Sequence, residues 1–255
     1  MDMGTLFNLS GRTALVTGGN SGIGEAMATA LGLAGAKVIL VARRENRLKE
    51  SVAKMKEKNI DAEMLPADLS SCENALACGR KALEYFGTID ILVNAAGVNL
   101  RQKFMDIIPE TWLHQINLHL SVPFFMAQAL APAMAAKKWG RIINIASLQS
   151  YRAFADSAPY GAGKGGIVQL TRAIAQEWSA KGITCNAVGP GFFPTELTEP
   201  VFNNPELASK NAGQTCIGRN GELTDLYGTT IYLASEASGY ITGQTLMVDG
   251  GFMAR

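Results

Sequence analysis

A doubly wound α/β domain, with a Rossmann-type parallel sheet of about seven strands and helices on both faces, is predicted by three features of the sequence. Short, near-continuous apolar runs alternate with longer helical patterns from end to end. Runs of that kind are strands buried on both sides, and the segments between them supply the covers. A glycine cluster, Gly18-Gly19-Asn20-Ser21-Gly22-Ile23-Gly24, follows the first run and opens the first helix, the order that a dinucleotide-binding unit requires. Finally, no linker or internal repeat divides the 255 residues. They read as a single dinucleotide-binding and catalytic domain, large enough to bury about three-quarters of its unfolded surface.

The strands are expected at Thr13–Thr17, Lys37–Ala42, Ala62–Pro66, Ile89–Asn94, Arg141–Ala146, Ile183–Val188 and Thr245–Val248. Helices are expected from Glu25 to Ala34, which is rich in Ala, Met and Leu, and over Arg44–Lys58, Glu73–Phe86, Pro109–Ala136, Ala158–Lys181 and Leu223–Ala234. Phe192 to Gly213 contains Pro194, Pro200 and Pro205 and reads as a long, helix-poor segment, of the sort that serves as a lid. Its Phe192, Phe193 and Phe202 can cover a substrate or anchor the segment in the core.

Composition excludes several classes of function. Lys plus Arg number 23 against 22 acidic residues, for a net charge of +1, and no basic stripe offers itself to nucleic acid. The four cysteines (Cys72, Cys78, Cys185 and Cys216) lack metal-ligand spacing and suit a reducing compartment. Met1 to Ser10 does not read as a signal peptide. Phe124 to Ala136, the most apolar stretch, is broken by Gln128 and Pro132 and is short for a bilayer. A cytoplasmic protein with no metal and no membrane partner is expected.

In a doubly wound sheet, ligands bind beyond the C-terminal strand ends. Gly18, Arg43, Asp68, Asn94, Ser147 and Pro190 each follow a strand or begin the next helix there. Gly18 can take the positive φ of a tight turn. Gly22 and Gly24 remove side chains where backbone approaches a pyrophosphate and where helix meets strand, with Asn20, Ser21 and Ile23 completing the turn. The second strand ends Val41-Ala42-Arg43-Arg44, without the carboxylate that selects NAD. Two guanidiniums suit a 2′-phosphate, so NADP(H) is the expected cofactor. The alternative, that Arg43 and Arg44 merely open the next helix, runs against the helix dipole.

Tyr160 and Lys164, four residues apart at the start of a helix, share one face. An ammonium one turn away favours the phenolate and draws the phenol's pKa towards working pH, which makes a proton donor and acceptor. Ser147 closes the fifth strand thirteen positions before Tyr160. It can donate to a substrate carbonyl oxygen or simply cap a turn.

From about Ser10 to Gly251 these segments resemble the short-chain dehydrogenase/reductase family, in that family's order. Thr17 to Gly24 matches the family's cofactor turn. Asp68-Leu69 matches its acidic position at the adenine end, and Asn94-Ala95-Ala96-Gly97 its Asn-Asn-Ala-Gly segment, with Ala95 as a departure. Pro190-Gly191 to Thr195 matches the segment flanking the nicotinamide, and Val248-Asp249-Gly250-Gly251 the C-terminal ending. The resemblance implies that Asn117, Ser147, Tyr160 and Lys164 are catalytic, that Asn117 kinks its helix and holds a water, and that Lys164 meets the cofactor ribose. It also implies a homotetramer and hydride exchange between NADP(H) and a ketone or secondary alcohol. A second departure, Gly161, Gly163, Gly165 and Gly166 around Lys164, costs about 0.8–1 kcal/mol each in a helix interior and calls for a compensating close approach.

Leu6 to Gly11, Ser147 to Ser150 and Thr195 to Glu199 resemble the branch holding gluconate 5-dehydrogenases and sugar-acid reductases. A keto-sugar acid such as 5-ketogluconate is the substrate this implies, with Arg101 and Arg152 placed to hold its carboxylate or else to stand solvated. A 3-oxoacyl-thioester reductase, a broad carbonyl reductase and a catalytically dead nucleotide-binding regulator are the other readings.

Overall fold

In the computed structural model, which describes residues 3–255, seven parallel strands form one sheet in the order β3-β2-β1-β4-β5-β6-β7. They are β1 (Thr13–Thr17), β2 (Lys37–Ala42), β3 (Ala62–Pro66), β4 (Ile91–Asn94), β5 (Gly140–Ile145), β6 (Ile183–Pro190) and β7 (Thr245–Val248). Met1 and Asp2, the start of the segment read above for a leader, lie outside the described residues.

Ten α-helices accompany the strands among the described residues. They are α1 (Met3–Leu6), α2 (Gly22–Leu33), α3 (Glu45–Glu57), α4 (Cys72–Phe86), α5 (Pro109–Ile116), α6 (Val122–Ala136), α7 (Ala158–Trp178), α8 (Glu199–Phe202), α9 (Pro205–Gly213) and α10 (Asp225–Ala234). The period-two alternation of the strands divides the core. Ala14 and Val16 of β1, with Val38 and Leu40 of β2, join Met27 and Leu31 of α2 and Leu226 and Leu233 of α10. Leu15, Ile39 and Val41 point the other way, to Ala75 of α4, Met126 and Leu130 of α6 and Ile174 of α7. Both faces of the inner strands are dry, and for that reason they show as apolar runs in the sequence, whereas the edge strands β3 and β7 are partly exposed.

Two expectations are corrected. The helix predicted over Pro109–Ala136 is not regular: a π turn at Asn117–Ser121 separates α5 from α6. The segment Phe192 to Gly213 is not helix-poor, because it carries α8 and α9. Two of its three prolines, Pro200 and Pro205, start helices instead of breaking them. Pro200 lies in the first turn of α8, and Pro205 begins α9 after Asn204, whose side chain accepts from the N–H groups of Glu206 (3.1 Å) and Leu207 (3.2 Å).

The glycines near Lys164 have the expected compensation in part. A Cβ at Gly163 would come within 2.9 Å of the His119 Cβ, and one at Gly166 within 3.1 Å of Leu120, so these two let α7 close onto the π turn. Gly161 and Gly165 meet no such crowding.

Candidate active site

Strand register lines up the site. Thr17 is level with Val41 on one side and Asn94 on the other, and Asn94 is level with Asn144. The Thr17 hydroxyl then binds the neighbouring loop, accepting from the N–H groups of Ala95 (3.1 Å) and Ala96 (3.2 Å). Asn94, expected at the cofactor, is 5% exposed, and its Nδ2 donates to Asn144 Oδ1 at 2.8 Å. Asn144 passes the chain on to the Thr171 hydroxyl at 2.9 Å, bracing β4, β5 and α7. The Asn94 side chain therefore faces inward, and this segment reaches the site through its backbone.

The glycine turn is wound as tightly as its sequence implies. Gly18 (φ +66) and Gly22 (φ +54) lie in left-handed space, and a Cβ at Gly24 would stand 2.3 Å from the Gly18 carbonyl oxygen. Ser21 occupies the N-cap of α2 without a side-chain cap, which leaves the first N–H groups facing outward. Asn20 Nδ2 is buried with no partner among the described residues. Open donors at a helix N-terminus over a cradle that no side chain can fill fit a dinucleotide pyrophosphate. Beside the turn lies a cavity of about 480 Å³, bounded by α3 and by Thr195, Glu196 and Phe202.

Ser147, Tyr160 and Lys164 come together at the end of β5. Ser147 caps the 3₁₀ turn Leu148–Ser150, its hydroxyl accepting from the Gln149 N–H at 3.1 Å. The Ser150 hydroxyl donates to the Lys164 carbonyl at 2.6 Å, which pins that turn to α7. Ser147 is thus both the capping serine and a neighbour of the Tyr160 phenol. Lys164 Nζ donates to the Ile145 carbonyl at 2.6 Å and stands 5.7 Å from the centroid of the Tyr160 ring.

The electrostatics differ from the expectation. Burial pushes the Tyr160 phenol above its ordinary pKa, and the Ser147 hydroxyl and the Arg101 guanidinium only partly oppose it. Burial also lowers Lys164 to about 7. Helical spacing brings the pair together, but desolvation outweighs the pull of the ammonium on the phenol.

Asn117 opens the π turn, and its Oδ1 accepts from the Ser121 hydroxyl at 3.2 Å. The same turn drives His119, a residue that sequence reasoning missed, into the site. Its Nε2 donates to the Val98 carbonyl at 2.6 Å, and its ring meets Tyr160 edge-on, with centroids 4.9 Å apart. Burial and the Lys164 charge hold it near 3, so the imidazole is neutral. The available signal was paired: a Cβ at Gly97 would meet the His119 ring and one at Gly163 the His119 Cβ, each at 2.9 Å.

At the residues expected to face the adenine end, Arg43 is exposed after β2, and Arg44 Nη2 donates to Glu196 Oε2 at 3.1 Å. Asp68 is exposed and accepts from the Ser70 hydroxyl at 3.0 Å, while Leu69 is buried. Pro190 ends β6, and the Gly191 N–H donates to the Val248 carbonyl at 2.9 Å, so the Val248–Gly251 ending buttresses the loop. Thr195 packs against Gly22. Of the aromatics in residues 192–213, Phe193 is core and 2% exposed, Phe202 lines the cavity, and Phe192 meets Phe252 edge-on with centroids 5.8 Å apart. Arg152 lies over the same Phe252 ring at 5.0 Å.

The family described as Enoyl-(Acyl carrier protein) reductase, a short-chain dehydrogenase/reductase group, matches residues 18–253. The chain belongs to the short-chain dehydrogenase/reductase family. It is an oxidoreductase, as the sequence implied. It is 36% identical to gluconate 5-dehydrogenase of Gluconobacter oxydans (strain 621H), with 96% of each chain covered. Identity to 2-dehydro-3-deoxy-D-gluconate 5-dehydrogenase of Bacillus subtilis (strain 168) is 37%, covering 98% of this chain and 97% of the relative. A gluconate 5-dehydrogenase from Burkholderia cenocepacia J2315, solved in complex with NADP and tartrate, superposes with a TM-score of 0.94 at 35% identity over 100% of both chains. The sugar-acid branch expected from the sequence is the one these relatives occupy.

Proposed function

We propose that this protein is a cytoplasmic, homotetrameric NADP(H)-dependent oxidoreductase that interconverts a keto-sugar acid, of the 5-ketogluconate type, and its secondary alcohol. The observation that carries this reading is a buried Tyr160 phenol with the Ser147 hydroxyl beside it, next to a glycine turn built for a dinucleotide. The cofactor supplies the hydride. Ser147 holds and polarises the substrate oxygen, and Tyr160 delivers the proton to it during reduction. A phenol raised above its ordinary pKa remains protonated at neutral pH, which suits reduction; alcohol oxidation calls for the phenolate and should speed up as pH rises. Lys164 and Asn117 hold the cofactor and tyrosine side of the site, and residues 192–213 act as the lid.

Arg43 supports the choice of NADP(H), since no carboxylate ends β2. The Burkholderia relative holds NADP. Replacing Ala42 with Asp and Arg43 with Asn should weaken NADPH and improve NADH in kcat/KM, because a carboxylate repels a 2′-phosphate and accepts from a 2′-hydroxyl. A wild-type protein that already favours NADH would refute the assignment.

The carboxylate is assigned to Arg101 and Arg152. Arg101 lies close enough to Tyr160 for its charge to act on the phenol, and the same Burkholderia relative binds tartrate, a dicarboxylate. Arg101→Ala should raise KM for a keto-sugar acid by roughly ten-fold or more, the worth of a charge-assisted contact, and spare an uncharged ketone. Equal effects on both substrates would remove Arg101 from recognition.

Assembly is supported by exposed apolar side chains on and around α5 and α6: Phe104, Met105, Ile108, Trp112, Leu113 and Phe124. Light scattering should give a species of about four times the 27.1 kDa chain. A monomer at micromolar concentration would contradict the proposal.

A further inference from the structure

Arg44 and Glu196 are 152 positions apart in sequence, yet their ion pair joins the loop after β2 to the lid segment. Glu196 follows Thr195, which packs against Gly22, and lines the same cavity as Asn20, Ser21 and Gly22, so the ion pair holds this segment beside the glycine turn. Both side chains are half exposed, and Glu196 is the partner of Arg44 among the described residues, whereas Arg43 has no ion pair there. A guanidinium bound to a carboxylate cannot also grip a phosphate without drawing the two anions together.

We infer that Glu196 is a specificity-determining residue of the lid, competing with the cofactor's 2′-phosphate for Arg44. This deepens the NADP(H) reading of the site and rests on it. A cofactor with a 2′-phosphate takes Arg44 from Glu196 and frees the lid at that point. A cofactor with a 2′-hydroxyl leaves the strap in place. Selectivity is then the net of Arg43 and Arg44 binding the phosphate and Glu196 opposing it, and the lid responds to which cofactor is present.

Calorimetric titration of NADPH and NADH into wild type, Glu196→Gln, Arg44→Gln and the double variant tests this without turnover. An exposed ion pair is worth about 0.2–1 kcal/mol, up to roughly five-fold in an equilibrium constant. Glu196→Gln should therefore tighten NADPH by about three-fold and leave NADH within two-fold, and the NADPH gain should shrink to less than half when Arg44 is already Gln. Equal shifts for both cofactors, weaker NADPH binding by Glu196→Gln, or an undiminished gain in the Arg44→Gln background would overturn the inference. Tighter wild-type binding of NADH than NADPH would instead refute the underlying cofactor assignment, so the two failures are read separately. Unchanged thermal midpoints across the set would show that binding, not folding, has moved.

Discussion

Tyr160→Phe is expected to retain NADPH binding and lose turnover by at least ~10²-fold, the usual worth of a positioned acid–base group. The variant keeps the ring, and with it the edge contact to His119, while losing only the hydroxyl beside Ser147. The loss should therefore fall on kcat and spare cofactor affinity. Residual alcohol oxidation should also lose the rise with pH that phenolate formation gives the wild type. Steady-state rates across pH, with binding measured separately, check both points. Near-normal turnover would dismiss Tyr160 as the proton donor.

The second large effect concerns Lys164. Lys164→Met should reduce turnover by a comparable factor, ~10² or more, and weaken NADPH, while making the cofactor-free protein more stable near neutral pH. The stability change follows from burial. The folded-state pKa of Lys164 is lowered to about 7 from an ordinary 10.5. Between those values the unfolded chain binds more protons than the native one, so wild-type stability rises with pH across that window. The cost of burying the ammonium is fully present below about pH 7 and declines towards 10.5. The thermal midpoint of Lys164→Met should accordingly exceed that of wild type most below pH 7, and the gap should narrow at alkaline pH. A variant less stable than wild type at every pH would show that the hydrogen bond to the Ile145 carbonyl outweighs the buried charge.

Much of the fold was legible because its physics is local. Strands buried on both sides are apolar along almost their whole length, so β1 and β2 appear in the sequence with the bounds they have in the structure. The glycine turn was legible for the same reason: a Cβ at Gly24 has nowhere to go, whatever the rest of the chain does. The helices within residues 192–213 were missed because proline has two local meanings, and the N-cap geometry of Asn204 distinguishes a helix start from a break. His119 was missed because a histidine in a helical pattern gives no sign of its direction; the π turn that rotates it inward is settled by packing against α7. The Tyr160–Lys164 spacing gave proximity correctly but not the dielectric around it, and burial reverses the expected direction for the phenol. Arg44 likewise followed β2 as expected, yet its partner, Glu196, arrives from the far end of the chain.

On the proposed function, this site passes hydride and proton between NADP(H) and a ketone borne by a sugar acid. The most direct measurement is kcat/KM with NADPH over a panel of ketones: keto-sugar acids, uncharged sugars, cyclic diketones, aryl ketones and acetoacetyl thioesters, with the alcohol product identified by NMR. The predicted result is the highest kcat/KM for acids of the 5-ketogluconate type, with one alcohol formed per NADPH consumed. A preference for uncharged, bulky ketones, or NADPH binding without turnover of any of them, would contradict it.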